Sequence, residues 1–316
     1  MMPVLYAGRD YLVRYNRAND ERLVVVVFEP WSHAPTLDGA FFGEAFFASR
    51  CINAIGVKTA SNDWFQSEEM PDVIAAILNA TPGVKRVGYG GSMGAFACIN
   101  FADDLDLRTV IALGPQYSVD PEKVPFDTRW RDEAAKITFR HDKIDRIRPI
   151  ANGYLLFDPT TVDARHAGII LKRHGLTPLK LYFSGHQPLT LLLQTHLLDS
   201  TLLGMIHRRF DRRSFTLALR RRRRQSAWLW HNVSTTLKVR GGLVAALAAA
   251  RTAKQCNADD PFPIDANLAE LLVLSGHFEE GSALLAAYVD HPDHGAFARW
   301  QTVDWRQRFA GRDAVR

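Results

Sequence analysis

The residues of this chain with the clearest capacity for chemistry lie in the segment Gly90-Gly91-Ser92-Met93-Gly94. This segment follows the apolar run Val84 to Tyr89, and a helix-forming stretch, Ala95-Phe96-Ala97-Cys98, comes directly after it. A tight turn between a strand and a helix exposes a serine hydroxyl at the edge of a sheet, where it can act as a nucleophile. Gly90 and Gly94 suit this interpretation, because a side chain at either position would collide with the neighbouring strand or helix.

A glycine-rich turn between a strand and a helix also serves phosphate binding or plain packing. A dinucleotide site is the less attractive of these alternatives. It needs a further glycine at the G-x-G-x-x-G offset and an acid at the end of the next strand, and the segment Gly90 to Ala95 lacks that spacing.

A serine hydroxyl is a weak nucleophile near neutral pH, so an imidazole must take its proton and a carboxylate must orient that imidazole. Two apolar runs end in suitable residues: Gly153 to Phe157 is followed by Asp158, and Leu179 to Phe183 is followed by Ser184, Gly185 and His186. Because parallel strands end at one edge of a sheet, both side chains are expected near Ser92. The sequence therefore predicts Ser92 as nucleophile, His186 as base and Asp158 as the orienting acid.

Other residues could fill the same positions. Asp158 precedes Pro159, and Asp-Pro is a common turn, while a single histidine such as His186 is often an ordinary loop residue. Asp163 is the rival acid, and His166 and His196 are the rival bases. We rank these three lower because they fall inside predicted helices and not at strand ends.

The elements that would position these residues form an alternating pattern up to about residue 190, which indicates a mostly parallel sheet covered by helices. The predicted strands are Arg22 to Phe28, Ile52 to Lys58, Val84 to Tyr89, Leu107 to Leu113, Gly153 to Phe157 and Leu179 to Phe183. The predicted helices are Gly39 to Arg50, Glu68 to Ala80 and Met93 to Asp103. The run Val24 to Phe28 is apolar at every position, as a strand buried on both faces should be.

After about Leu198 the strand signal disappears and the spacing becomes helical. We therefore predict two domains, residues 1–200 and residues 201–316. Within the second, Ala266 to Leu274, a turn at Gly276, and Phe278 to Val289 predict a helix hairpin of the tetratricopeptide kind. Only one such unit is visible in the sequence, so no repeat array is expected.

Charge is concentrated in the helical region. The chain has 316 residues and a net charge of +5, yet nine arginines and one acid lie between Arg208 and Arg224, so the remainder is net acidic. Five consecutive arginines, Arg220 to Arg224, wrap the whole circumference of a helix and form no single face for nucleic acid. We therefore do not expect nucleic acid as a partner, and we expect the helical tail to hold a protein partner or a second copy.

Composition bounds the remaining classes. Hydrophobic residues make up 47% and charged residues 23% of the chain, which is ordinary globular usage. Three separated cysteines, Cys51, Cys98 and Cys256, indicate neither a disulfide framework nor a metal site. The start of the chain shows no secretory signal and no apolar run is long enough to span a membrane, so a cytoplasmic location is expected.

Taken together, residues 4 to 200 resemble the α/β-hydrolase family. The resemblance is carried by Tyr89 to Gly94, Phe157-Asp158-Pro159 and Ser184-Gly185-His186, in the family's chain order of serine, acid and histidine. It implies an ester, thioester, amide or related acyl substrate, an acyl-enzyme intermediate, and no cofactor. The interval from Gly114 to Ile150, where such proteins often insert a lid, is modest in length.

The resemblance also implies an oxyanion hole. Its donors would be the N–H of Met93 and an N–H after the third strand of the family's sheet, which is Trp31 here because Pro30 has none. In this loop Glu29-Pro30 stands where His-Gly is frequent in the family. Trp64, Tyr117 and Trp130 are candidates to line a pocket for a small-molecule or glycan-linked acyl substrate, with core packing as the alternative. A second functional hypothesis is an inactive hydrolase-fold scaffold that assembles through its helical tail.

Overall fold

The computed structural model describes residues 3–19, 22–256, 258 and 260–309. The chain divides into two compact units. One comprises Met1–Leu189 and Asp199–Asp211, and the other comprises Thr190–Leu198 and Arg212–Arg316. The predicted boundary at residue 200 therefore lies within a stretch where the chain leaves the first unit, returns to it and leaves again.

The first unit is built on an eight-stranded sheet with the order β1-β2-β4-β3-β5-β6-β7-β8. Strand β2 pairs antiparallel with β1 and β4, and all other neighbours run parallel. The strands are β1 (Val4–Ala7), β2 (Tyr11–Asn16), β3 (Leu23–Phe28), β4 (Ala54–Thr59), β5 (Lys85–Gly91), β6 (Leu107–Leu113), β7 (Gly153–Phe157) and β8 (Thr177–Lys180). The side chains from Val24 to Phe28 are at most 1% exposed, which agrees with a central strand covered on both faces.

Short helices flank the sheet in the first unit. They are α1 (Glu44–Ser49), α2 (Met70–Ala80), α3 (Met93–Asn100), α4 (Arg131–Ala134) and α5 (Asp163–Arg173). A mostly parallel sheet with flanking helices and a helical C-terminal region confirms the predicted α/β-hydrolase type of fold.

The sheet differs from the sequence prediction in two respects. Strands β1 and β2 were not predicted. The predicted strand Leu179 to Phe183 ends early, at Lys180, and the chain then turns, with positive φ angles of 62° at Phe183 and 59° at Gly185. His186 therefore lies on a turn of several residues and not directly at a strand end.

The remaining helices follow β8. They are α6 (Pro188–Gln194), α7 (Leu198–Ile206), α8 (Arg212–Arg222), α9 (Ala227–Val239), α10 (Leu243–Gln255), α11 (Phe262–Leu274), α12 (Phe278–Ala286) and α13 (Gly295–Phe309). Helices α9 and α10 pack together, as do α11 and α12, and the second pair begins 35 residues after the first. The sequence analysis did not identify the pair α9 and α10, in which small residues such as Ala246 and Ala250 are buried without a conspicuous motif.

Among the residues that the structure describes, no single helix is long and apolar enough to cross a membrane. The consecutive helices α6 and α7 are long and apolar enough only when taken together, and the chain bends by 119° between them. The arginines from Arg220 to Arg224 are exposed, and Arg222 donates hydrogen bonds to the carbonyls of Thr195 and His196 within the same unit.

Candidate active site

Ser92 occupies the sharp turn between β5 and α3. Its backbone angles, φ 50° and ψ −114°, are strained for a residue with a side chain, and such strain concentrates at functional sites. A Cβ atom on Gly90 would lie 2.4 Å from the carbonyl carbon of Gly94, and one on Gly94 would lie 2.3 Å from the carbonyl oxygen of Phe28. The two glycines therefore allow the turn to form against β3 and α3, as the motif predicts.

His186 lies on the turn after β8 and contacts the serine hydroxyl. Its Nε2 is 2.8 Å from Oγ of Ser92, and its Nδ1 is 2.7 Å from Oδ2 of Asp163. Because a carboxylate only accepts hydrogen bonds, Nδ1 must carry the proton and Nε2 is free to accept from the hydroxyl. The imidazole is thus held in the tautomer that a general base requires.

The carboxylate that contacts His186 belongs to Asp163 and not to Asp158, so the sequence prediction of the acid is corrected. Asp158 is fully buried, and its Oδ2 accepts the backbone N–H of Gly185 at 2.8 Å. Its Oδ1 accepts the N–H and the hydroxyl of Thr160 at 2.8 and 2.7 Å. Asp158 therefore holds the turn that carries the histidine, while the imidazole itself has another partner.

Asp163 reaches the histidine because it is the first residue of α5 and not an interior one. A carboxylate in the first turn of a helix is stabilised by the helix dipole, which favours its ionised form. The residue is fully buried, yet its pKa lies below the usual value. Burial alone would raise this pKa, but the hydrogen bond with His186 and the charge of Arg129 outweigh burial.

The second oxygen of Asp163 continues the network away from the serine. Its Oδ1 accepts a hydrogen bond of 2.8 Å from Nη2 of Arg129. The same guanidinium donates to Asp127 through Nε and Nη2. Oδ2 of Asp127 is 2.9 Å from Nε2 of His166. Sequence reasoning missed Arg129 and Asp127, because they lie in the irregular crossover between β6 and β7, which carries no periodic signal.

Neither rival histidine contacts Ser92. His166 is fully buried, its Nδ1 accepts the N–H of Tyr117 at 3.1 Å, and its Nε2 faces Asp127, so both ring nitrogens are occupied. His196 is exposed and lies in the other compact unit.

The two predicted oxyanion donors are the N–H groups of Met93, which follows Ser92, and of Trp31, which follows β3 by three residues. Met93 is the first residue of α3, so its N–H has no partner within the helix. Among the described residues, neither this N–H nor that of Trp31 meets an acceptor in the protein. Gly94 lies close to the carbonyl of Phe28, so the end of β3, three residues before Trp31, lies beside the turn at Ser92.

Three tryptophans form a cluster next to the imidazole. The ring of Trp130 lies 5.9 Å from that of His186, 5.7 Å from Trp31 and 5.4 Å from Trp64. Trp31 and Trp130 are partly exposed, whereas Trp64 is fully buried and donates its indole N–H to Gln116. Tyr117 is partly buried against the core. Of the predicted lining residues, Trp64 therefore forms the back of the cluster and presents no surface to a ligand.

Gly114 is a further residue that positions the site. It follows β6 with a φ of 55°, and a Cβ at this position would lie 2.8 Å from the carbonyl oxygen of His186 and 3.5 Å from its ring. The sequence signal that could have identified Gly114 is its position directly after the predicted strand Leu107 to Leu113.

Within the described part of the chain, no group of three or more His, Cys, Asp or Glu residues could hold a metal ion.

No protein-family model and no curated protein matches the chain. Solved structures with a similar fold include the capsule O-acetyltransferase of Neisseria meningitidis serogroup A, at 10% identity and a TM-score of 0.48 over 65% of this chain and 94% of that one. A lidless α/β serine hydrolase of Xanthomonas campestris matches at 15% identity and a TM-score of 0.41, over 63% and 94% of the two chains. A lipase/esterase of Lactobacillus plantarum matches at 12% identity and a TM-score of 0.38, over 64% and 98%.

Proposed function

We propose that this protein is a serine hydrolase that cleaves an ester, thioester or amide through an acyl-enzyme on Ser92. The observation that carries this proposal is the chain of contacts from the Ser92 hydroxyl to the His186 imidazole and on to the buried Asp163 carboxylate. Both distances, 2.8 and 2.7 Å, already suit proton transfer and orientation.

In the first half of the reaction, Oγ of Ser92 attacks the carbonyl carbon of the substrate while its proton passes to Nε2 of His186. The tetrahedral intermediate collapses when the imidazolium returns this proton to the leaving alcohol, thiol or amine, which departs and leaves the acyl group on the serine. Water then attacks the acyl-enzyme with His186 again as base, and the carboxylic acid is released. Asp163 stays ionised and stabilises the imidazolium that forms in each half.

The oxyanion of each intermediate needs donors placed where its charge develops. The N–H of Met93 is suited to this role because it lies beside the nucleophile at the positive end of α3. The N–H of Trp31 is the second proposed donor, and it belongs to the loop that follows β3, the strand next to β5.

The substrate side of the site is aromatic. Trp130 presents a partly exposed ring next to His186, and the partly exposed ring of Trp31 contacts Trp130. Flat rings of this kind stack on sugar or aryl groups. Trp31 is fixed by a hydrogen bond of 3.1 Å from its indole nitrogen to Glu133. We propose that a ring-bearing or glycan-linked acyl substrate packs against the exposed faces of these two side chains.

A fluorophosphonate probe with intact-mass analysis tests the proposal. We expect a single adduct on the wild-type chain that maps to Ser92, with labelling and p-nitrophenyl acetate hydrolysis both lost in Ser92→Ala. Ser49→Ala is the matched control, because Ser49 is an exposed serine on α1, and it should label like the wild type. A folded wild-type chain that takes up no probe would overturn the proposal and favour the inactive scaffold.

A further inference from the structure

One guanidinium bridges two buried carboxylates behind the catalytic imidazole. Nε and Nη2 of Arg129 bond the two oxygens of Asp127 at 2.9 and 2.8 Å, and Nη2 also bonds Oδ1 of Asp163 at 2.8 Å. The side chains of Asp127 and Asp163 are 2% and 0% exposed, against 31% for Arg129. A planar fork of this kind fixes orientation as well as charge, which a point-like ammonium cannot do.

The far side of this bridge is also fixed. Asp127 accepts the backbone N–H of Arg129 at 3.1 Å and faces Nε2 of His166 at 2.9 Å. Since Nδ1 of His166 accepts the N–H of Tyr117, His166 must be neutral with its proton on Nε2, and it donates that proton to Asp127. Each oxygen of Asp127 therefore has one donor besides the guanidinium: Oδ1 accepts the backbone N–H of Arg129, and Oδ2 accepts from His166.

This arrangement determines how Asp163 meets His186. A carboxylate bonded through one oxygen can rotate about its last torsion, which is broad for aspartate. The bond from Arg129 to Oδ1 removes that freedom and leaves Oδ2 aimed at Nδ1 of the imidazole. Arg129 also offsets part of the negative charge that the imidazole experiences.

We propose that Arg129, anchored by Asp127 and His166, is a positioning residue that aligns the Asp163 carboxylate and sets the pH range in which His186 acts as a base. This inference rests on the proposed serine hydrolase function. It assigns the irregular crossover between β6 and β7 a part in catalysis, because both Arg129 and Asp127 come from that segment.

The ionisable groups around the pair give the direction of the expected effects. Arg129 and Asp127 approach from the crossover and His166 from α5, while Asp158 bonds the turn at Gly185 and Glu133 bonds the neighbouring Trp31. Removing the positive charge of Arg129 favours the imidazolium, so the acid limb of kcat/KM moves to higher pH. Removing the negative charge of Asp127 has the opposite effect.

The test compares Arg129→Gln, Asp127→Asn and the double variant in pH profiles of p-nitrophenyl acetate hydrolysis by the full chain. We expect the acid limb to move up by on the order of half a pH unit in Arg129→Gln, to move down by a similar amount in Asp127→Asn, and to return in the double variant. In Arg129→Gln the backbone N–H and His166 still hold Asp127 as a carboxylate. Arg131→Gln, an exposed arginine two residues away, is the control and should leave the profile unchanged.

A second measurement keeps the inference independent of turnover. The proton on Nδ1 of His186, bonded to a carboxylate, should give a low-field ¹H NMR resonance that is lost or broadened in Arg129→Gln, where Asp163 is free to rotate. Arg129→Lys should keep the wild-type acid limb but lower kcat/KM by about tenfold, because an ammonium cannot fork between two carboxylates.

The two proposals fail in different ways. If the wild-type chain does not react with the fluorophosphonate, the serine hydrolase function fails. If it reacts, and the variants keep both the wild-type pH profile and the low-field resonance, then Arg129 has only a structural role and this inference is overturned.

Discussion

The carboxylate of Asp158 accepts the backbone N–H of Gly185 at 2.8 Å, one residue before the imidazole of His186. Gly185 has a φ of 59° and is buried, so this turn depends on a specific acceptor beneath it. Asp163, five residues further along the chain, contacts the imidazole itself. The two aspartates that follow β7 therefore have separate partners: Asp158 holds the turn, and Asp163 holds the imidazole.

The first prediction separates these two carboxylates. Asp163→Asn should lower kcat/KM by roughly 10³- to 10⁴-fold, because an amide can donate to Nδ1 and favour the wrong tautomer. Asp158→Asn should lower it by only about tenfold and reduce stability by about 1–3 kcal/mol, since the amide cannot satisfy both Gly185 and Thr160 as the carboxylate does. Steady-state kinetics and thermal unfolding of the two variants provide the comparison. Equal losses of activity in the two variants, with equal stability, would contradict the assignment of Asp163.

The choice between Asp158 and Asp163 shows what strand-end reasoning can predict and where it ends. It placed His186 near Ser92, and the imidazole contacts the serine hydroxyl, but the acid that it chose, Asp158, bonds Gly185 and not the imidazole. It ranked Asp163 lower because that residue was placed inside a predicted helix, whereas Asp163 is the first residue of α5 and its carboxylate contacts His186. Helix boundaries are the least reliable part of a sequence prediction, and here one boundary decided the role.

Other parts of the fold could not be predicted from the sequence, for different physical reasons. The central strand β3 was evident because Val24 to Phe28 is apolar on both faces, whereas the edge strand β1 is short and partly exposed and has no such signal. Arg129 and Asp127 are distant from Asp163 in sequence, and their contact depends on how the crossover folds back. No periodicity encodes that contact.

The second prediction concerns the close approach of Gly114 to His186. Gly114→Ala should lower kcat/KM by about 10- to 100-fold, because its Cβ would lie 2.8 Å from the carbonyl of His186 and displace the imidazole. Gly83→Ala is the matched control, since Gly83 has a similar φ of 67° but open space around its Cβ position. Both variants should lose about 1–2 kcal/mol of stability through backbone strain, and only the first should lose activity. Comparable activity in the two variants would show that Gly114 does not position the histidine.

The third prediction tests the aromatic wall of the site. Trp130→Ala should raise KM for aryl esters by about tenfold with a smaller change in kcat, because it removes a ring that stacks on the substrate. Trp130→Phe should keep both constants near the wild type, since the indole N–H of Trp130 is buried without an acceptor in the described part of the chain. Trp300→Ala removes an exposed tryptophan of α13 and should change neither constant. If the phenylalanine variant binds as poorly as the alanine variant, stacking on the ring face of Trp130 does not account for substrate binding.

The fourth prediction follows from the charge state of Asp127, whose pKa is lower than usual. Burial acts to raise this pKa, but the hydrogen bonds from His166 and Arg129 lower it more. Unfolding therefore takes up a proton as the pH falls from about 4, the ordinary aspartate value, to the lower value of the folded chain. The stabilisation by this carboxylate is complete above that interval and is lost as the pH falls through it.

Asp127→Asn should thus have a lower unfolding midpoint than the wild type at pH 7, and the difference between the two midpoints should become smaller as the pH approaches 3. Thermal unfolding followed by tryptophan fluorescence at several pH values measures it, and a gap of constant size from pH 7 to pH 3 would mean that the contribution of Asp127 does not depend on its charge.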